Sequence, residues 1–567
     1  MKEKAIEILN HAIKHSGIKS KIQIGNFLEI PKDTEKGDFA FPCFFLAKEL
    51  KENPHDVAIK LREQITEFSP EFEEVQVTGP YINFFLNKKT MAINLIKEVK
   101  EKKDNFGKKI SNKKTIMIEF PSPNTNKPLH LGHLRNMSIG ESISRIYEFC
   151  GFKVVRANLN NDRGIHICKS MLAYEKWGKN KTPKKEKEKS DHFVGGYYVL
   201  FNKHAKENKK LEEEAQQVLQ KWEEGDKETI RLWKKMNAWA LDGFRETYKR
   251  FGINLDKEYF ESQIYKKGKD IILKGLKKGI FKKNNDGAII INLSKEKLGE
   301  KVLLRSDGTS IYITQDIYLA KKKFEDFPLS KSIYVTGNEQ DYHFNVLFNI
   351  LEKLKIADKS KLNHLSYGMV NLPNGRMKSR EGAVVDADDL IEEIQNMIKE
   401  DLRSRQKLNK KELEESSLKL ALSAIKYFLL KADIKHDITF DPKESISFEG
   451  DTGPYIEYSF ARANSITKKS KNKQELIIPE GFEDKEKALI LKLNGFKKAM
   501  EDTFNSMNPA IIANYAYKLS QIFNEFYHSC PVINSEYETF RISLIEVFKQ
   551  ILKNSLYLLG IETVEKM

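Results

Sequence analysis

Ile116-Met117-Ile118-Glu119-Phe120, followed by Pro123-Asn124-Thr125-Asn126-Lys127-Pro128-Leu129-His130-Leu131-Gly132-His133, is the stretch on which the fold turns. A short apolar run gives way to a polar, Pro-rich segment, and an amphipathic stretch then continues through Tyr147. This pattern predicts a strand, a loop, and a helix whose N-terminus carries two imidazoles and a glycine. A second strand-like run, Val154-Val155-Arg156-Ala157-Asn158-Leu159, completes a β-α-β unit. A helix mouth of this kind presents backbone N–H groups and imidazole donors to an anionic ligand.

Outward from this unit, sheet-like runs resume at 288–292, 311–314, 333–336 and 365–370, interleaved with helical periods. Strands alternating with helices predict a doubly wound parallel sheet. Two segments interrupt it as an insertion at about 176–250: a polar Lys-Glu run at 176–190, then a helical period at 211–250 carrying Trp222, Trp233 and Trp239. Upstream, Gly37-Asp38-Phe39-Ala40-Phe41-Pro42 precedes a helix-like stretch, and Gly79-Pro80 opens a strand through Asn87. The charged residues 100–114 have little to bury and read as a linker. After about Asp386 the pattern is helical, with an apolar stripe from Ile512 to Phe526 and another over 544–559. There is no internal repeat, no GxGxxG and no Walker A sequence.

A chain of 567 residues is too long for one core and divides into about three or four domains. With 40% hydrophobic and 31% charged residues it reads as globular rather than disordered. A net charge of +16 suits a polyanionic partner, although a Lys-rich surface kept for solubility accounts for it equally well. No apolar run is long enough to span a bilayer, and Met1-Lys2-Glu3-Lys4 does not open a secretory signal, so a cytoplasmic protein is expected. Cys43, Cys150, Cys168 and Cys530 form no Cys-x-x-Cys pair, which argues against a zinc knuckle and a disulfide framework. His130 and His133, with His166 as a third ligand, could hold a metal. Gly132 between them and the strand-to-helix setting favour anion binding instead, and no structural metal is expected.

The segment Ser122-Pro123-Asn124-x-x-Lys127-Pro128-x-His130-x-Gly132-His133-x-Arg135 resembles the nucleotide-binding signature of class I aminoacyl-tRNA synthetases, in the form it takes in arginyl-tRNA synthetases. The similarity runs end to end and is weakest at about 176–250. Asp307-Gly308-Thr309-Ser310 leading into Tyr312-Ile313-Thr314-Gln315-Asp316 is similar to the family's amino-acid pocket strand, and Gln340-Asp341-Tyr342-His343-Phe344 to its next pocket element. Gly450-Asp451-Thr452-Gly453-Pro454-Tyr455 resembles the opening of its helical anticodon-binding domain. Gly375-Arg376-Met377-Lys378-Ser379-Arg380-Glu381-Gly382 falls where class I enzymes keep a Lys-Met-Ser-Lys-Ser loop.

The resemblance implies a Rossmann-like catalytic domain (112–385), an α/β N-terminal domain contacting the tRNA elbow (1–105), a helical stem-contact segment (386–445) and an all-helical anticodon-binding domain (446–567). It implies a monomer that uses Mg-ATP to convert L-arginine to arginyl-adenylate, then esterifies the 2′-hydroxyl of the terminal adenosine of tRNA(Arg), with tRNA bound before activation. The roles carried over are catalysis by Lys127, His130, His133, Lys378 and Arg380, and ATP binding by Pro123, Asn124, His130, Gly132, His133, Arg376, Met377 and Lys378. Arginine binding falls to Asn124, Glu261, Tyr312, Asp316 and Gln340, and tRNA contact to Tyr81, Asn83, Tyr455 and Tyr458. A guanidinium wants planar, bidentate carboxylates, which fits the two acids.

The chain departs from the family at two places. Arg376 stands for the loop's first Lys, Lys378 for its Ser and Ser379 for its second Lys; the resemblance implies that Lys127 takes over that last charge. Asn161-Asp162-Arg163-Gly164-Ile165-His166 stands where many members read Gly-Asp-Trp-Gly-Thr-Gln, so packing near the pocket floor differs. The rivals are a class I synthetase for another amino acid and a tRNA-binding paralogue without activity. The intact Lys127, His130, Gly132 and His133 argue against the second.

Overall fold

The computed structural model describes all residues except 19, 21, 32–35, 374–384, 406–407 and 471–473. The described chain divides into two compact units: one of residues 1–106, 465–496 and 521–551, the other of 107–464, 497–520 and 552–567.

In the first unit, β1 (Phe39–Pro42), β2 (Phe72–Thr78) and β3 (Tyr81–Leu86) form an antiparallel sheet in the order β1-β3-β2. Gly79, at φ +56°, makes the tight turn that returns β2 into β3. As the middle strand, β3 buries Ile82, Asn83 and Phe84. Helices flank the sheet, with Asn53 and Asn87 capping Pro54–Glu63 and Lys88–Lys102 through their side chains. The helix Lys88–Lys102 runs into the expected linker, whose irregular part begins after Phe106.

The second unit holds a five-stranded sheet of β4 (Thr115–Glu119), β5 (Lys153–Asn160), β6 (Lys257–Phe260), β10 (Leu329–Gly337) and β11 (Leu362–Tyr367). The numbers between belong to an antiparallel sheet of β7 (Lys282–Lys283), β8 (Ile289–Leu293) and β9 (Gly299–Leu304). The large sheet is parallel throughout, in the order β11-β10-β4-β5-β6. Every residue of β4 is buried, as expected of a central strand covered on both faces. The chain leaves β4 toward β5 and later returns to β10 on the other side. Strand order therefore reverses at β4, and ligands of such sheets bind beyond the carboxyl ends of the strands there.

Two sequence expectations are corrected. Residues 311–314 are not a strand: Ile311 precedes the helix Tyr312–Asp326, and the Thr314 hydroxyl accepts from the Ile311 N–H (3.4 Å) at the helix start while donating to the Leu303 carbonyl at 2.5 Å. β-branched residues in a short window left helix and strand indistinguishable by period. The run at 288–292 is a strand, but in the antiparallel sheet. The insertion is helical (Ser190–Glu207, Lys210–Glu224, Lys227–Phe251) and lies in the connection from β5 to β6. Among the described residues beyond 385 the elements are helices apart from a two-residue strand at Ile438–Thr439.

Candidate active site

The loop after β4 is moulded by the end of β5. Ser122 N–H donates to Asn158 Oδ1 (3.0 Å), Asn161 Nδ2 to the Ser122 carbonyl (3.1 Å), and Asn161 N–H to the Pro123 carbonyl (3.0 Å). Asn124 is exposed. The helical insertion closes on the same loop: the Thr125 hydroxyl bonds Asn237, and a Cβ at Gly195 would sit 2.6 Å from Pro128 Cδ, so only glycine fits. This buttressing gives a role to the segment that matched the family least.

The helix Leu131–Phe149 begins at the imidazoles. His130 N–H donates to His133 Nδ1 at 3.1 Å, which assigns the His133 proton to Nε2 and leaves that N–H as its remaining donor. The ring centroids are 3.9 Å apart, and a Cβ at Gly132 would come within 3.0 Å of the His130 ring. A side chain at 132 would therefore press on the His130 ring, which would have to shift. Burial, then Lys127, pushes His130 down to about 4; burial, His130 and Lys127 hold His133 well below the usual imidazole range. Both rings are neutral donors at pH 7, and Lys127 carries the positive charge.

Residues beyond 384 return to this turn. Leu131 N–H donates to the Val385 carbonyl (2.9 Å) and Ala387 N–H to the Leu129 carbonyl (3.0 Å). Fully buried Arg135 donates to the carbonyls of Met369 (2.7 Å), Ile434 (3.1 Å) and His436 (2.7 Å). The two ends of the Arg376–Arg380 loop are therefore both tied to the signature helix. Arg376, Met377, Lys378 and Arg380 themselves lie outside the described residues.

The acidic groups come from elsewhere in the chain. Glu261 follows β6 directly and is 8% exposed; burial pushes its carboxyl up to about 7, with Asp162 and Asp316 adding to the rise and Arg163 opposing it. Asp316 lies one helical turn after Tyr312, so the two share a face. Its Oδ2 meets His343 Nε2 at 2.7 Å. Gln340 ends the short turn after β10 and is exposed, and Tyr312 is 78% exposed. The signature loop, Asp162, Glu261 and Gln340 thus leave the carboxyl ends of four strands of one parallel sheet.

The remaining expected residues are on other elements. Asn83 is buried, so of the pair in β3 only half-buried Tyr81 offers surface to a nucleic acid. Tyr455 and Tyr458 are half-buried on the helix Gly453–Lys469; Tyr455 packs edge-on to Tyr517, and Arg462 lies over Tyr458. His166 bonds Tyr198 rather than joining the signature imidazoles, and among the described residues the grouping with metal-ligand spacing is Asp191, His192 and Asp388. Sequence reading did not anticipate three features: the Arg135 clamp, His343 beside Asp316, and Trp233, which donates from the insertion to the Asp162 carbonyl at 2.6 Å. Arg135 and His343 had a signal in their places within their motifs, although neither contact was foreseen.

Residues 95–442 match the family model of the class I tRNA synthetase (R) catalytic domain, 3–86 the arginyl-tRNA synthetase N-terminal domain, and 456–567 the DALR anticodon-binding domain. The chain belongs to the arginyl-tRNA synthetase family. It is 46% identical to the arginine–tRNA ligase of Treponema denticola over 95% of this chain and 94% of that one. With the arginine–tRNA ligase of Borrelia hermsii it shares 42% identity over 99% and 98%. Its fold superposes on the Thermus thermophilus arginyl-tRNA synthetase with a TM-score of 0.82 at 26% identity, each chain covered completely.

Proposed function

We propose that this chain charges tRNA(Arg): it condenses L-arginine with ATP to arginyl-adenylate and pyrophosphate, then esterifies the 2′-hydroxyl of the terminal adenosine. The observation that carries the reading is that a helix mouth bearing two neutral imidazoles and a buried carboxylate both lie at the carboxyl edge of one parallel sheet.

In the first step the arginine carboxylate attacks the α-phosphorus and pyrophosphate leaves. The protein makes no covalent bond; it aligns the reactants and stabilises charge gathering on the phosphates. Neutral His130 and His133 donate N–H bonds there, Lys127 supplies charge, and Pro123, Asn124 and Gly132 bound the nucleotide. Mg2+ arrives with ATP, held chiefly by phosphate oxygens. Arg376, Met377, Lys378 and Arg380 are proposed to close on the same phosphates. Glu261 and Asp316 take the guanidinium, with Tyr312, Gln340 and Asn124 around the rest of the amino acid. Tyr81, Tyr455 and Tyr458 are the proposed tRNA contacts. The domain roles are those of elbow, catalytic, stem and anticodon binding at 1–105, 112–385, 386–445 and 446–567.

A monomer in a reducing cytoplasm fits four free, buried cysteines, and no helix among the described residues is long and apolar enough to cross a membrane. ATP–pyrophosphate exchange with tRNA present, run with one amino acid at a time, tests the reading. Arginine is expected to drive exchange; lysine or glutamine outcompeting it refutes the assignment.

A further inference from the structure

Arg163 stands in the motif position where the family commonly carries a tryptophan, and its surroundings show what it does instead. Its guanidinium carbon lies 4.0 Å from the ring centroid of Tyr265 and 5.5 Å from that of Trp222, so aromatic rings hold it through cation–π contact. Nη2 donates to Glu223 at 2.7 Å, while Nη1 stands 3.8 Å from Glu261 Oε1. The side chain is 13% exposed, and its Nε is buried without a hydrogen-bond partner among the described residues. A guanidinium in so fixed a place, aimed at a buried acid, is more than packing for a lost indole.

We propose that Arg163 is a positioning residue for amino-acid selection: clamped by two rings, it favours the carboxylate form of Glu261 until the substrate's guanidinium takes over that contact. The proposal rests on the reading of Glu261 as a guanidinium ligand. Among the described residues the groups acting most strongly on Glu261 are Arg163 and Asp162 from the segment after β5, and Asp316 and Gln315 from the helix Tyr312–Asp326. Two acids and burial favour the protonated form, and a protonated carboxyl cannot pair with a guanidinium. Arg163 is the opposing charge. Because it reaches Glu261 at 3.8 Å rather than in a tight bidentate pair, it supports the carboxylate without closing it to a ligand.

The test is the pH dependence of kcat/KM for arginine in tRNA charging by the full-length enzyme, from pH 6 to 9. Arg163→Gln is expected to move the acid limb up by about one pH unit, roughly a tenfold loss at a fixed pH below the limb, closing toward pH 9. Arg163→Lys should restore part of the shift, and kcat/KM for ATP should keep its profile. Glu223→Gln leaves Arg163 in place and removes its competing carboxylate, so it should move the limb down; this variant decides the matter if Arg163→Gln folds poorly. A limb that coincides with the parent's in both variants, or a loss uniform across pH, overturns the proposal. Glu261→Gln separates the two layers. If it leaves the KM for arginine unchanged, the reading of the slot fails. If it abolishes arginine saturation while the Arg163 and Glu223 variants track the parent, only the role of Arg163 fails.

Discussion

The proposed phosphate side and the proposed amino-acid side of the candidate site are built on opposite plans. The phosphate side is local: one strand, one loop and one helix mouth, within 115–149, place Lys127, His130, Gly132 and His133 together. Its titratable rings are held neutral, and its charge is cationic. The amino-acid side is assembled from residues spread over 162–340, after β5, after β6, at the start of the helix Tyr312–Asp326 and after β10. Its charge is acidic and partly suppressed by burial. A locally built anion site survives as a motif, whereas an acid slot depends on the whole sheet being closed correctly.

The largest effect that can break this contrast is at Glu261. Glu261→Gln keeps the shape but leaves the incoming guanidinium without its charged partner. A loss of about a thousandfold in kcat/KM for arginine is expected, with the KM for ATP nearly constant. A comparable rise in the KM for ATP would mean the two sides are not separate. Next comes His133→Ala, which removes one donor to the phosphates and is expected to cut kcat about a hundredfold while sparing the KM for arginine. Unchanged turnover in pyrophosphate exchange would remove that role.

This division also explains what could be read from the sequence. The β-α-β unit around Ser122–Arg135 was visible because strand, loop and helix signals are consecutive there, and the structure places the imidazoles on the predicted helix mouth. The parallel sheet was visible as a class, but its membership was not. Residues 288–292 have the same apolar run as the central strands, and only pairing partners assign them to the smaller sheet. Tyr312 was expected on a strand within the run 311–314, yet the Thr314 hydroxyl accepts the Ile311 N–H at a helix start and ties that turn to the Leu303 carbonyl. Glu261 and Asp316 carried no signal of their own beyond family resemblance. Nothing in their neighbours indicates burial, and burial is what gives Glu261 its raised pKa. The insertion matched least and was assigned no contact, although Gly195 and Asn237 brace the signature loop.

A smaller and sharper comparison uses Gly132. Alanine at a helix start is favoured over glycine by up to about 1 kcal/mol, so Gly132→Ala should leave thermal stability unchanged or slightly raised. Its methyl would crowd the His130 ring, which then must shift. A severalfold rise in the KM for ATP with an undiminished melting temperature is the expected pair of results. Lowered stability with normal ATP binding would instead make Gly132 a packing residue.

The smallest effect concerns how the phosphate side is braced from outside its own motif. Asp386 pairs through its backbone with His130, and its side chain caps the helix Ala387–Arg405. His192, on the insertion, contacts Asp386 at 3.2 Å and Asp388 at 3.6 Å, beside Lys189 and Asp191. Burial opposes the His192 charge, but Asp388, Asp386 and Asp191 outweigh it and push the imidazole up to about 9. A histidine raised above its unfolded value of about 6.5 contributes fully below that pH and loses the contribution as pH rises through the folded value. The parent should therefore melt about 2–5 °C above His192→Gln at pH 6.5, with the gap closing by pH 9. Asp386, which burial pushes up to about 6, titrates below this window and does not produce the same slope. A gap that is constant from pH 6.5 to 9 would show that His192 braces the turn by packing rather than by charge.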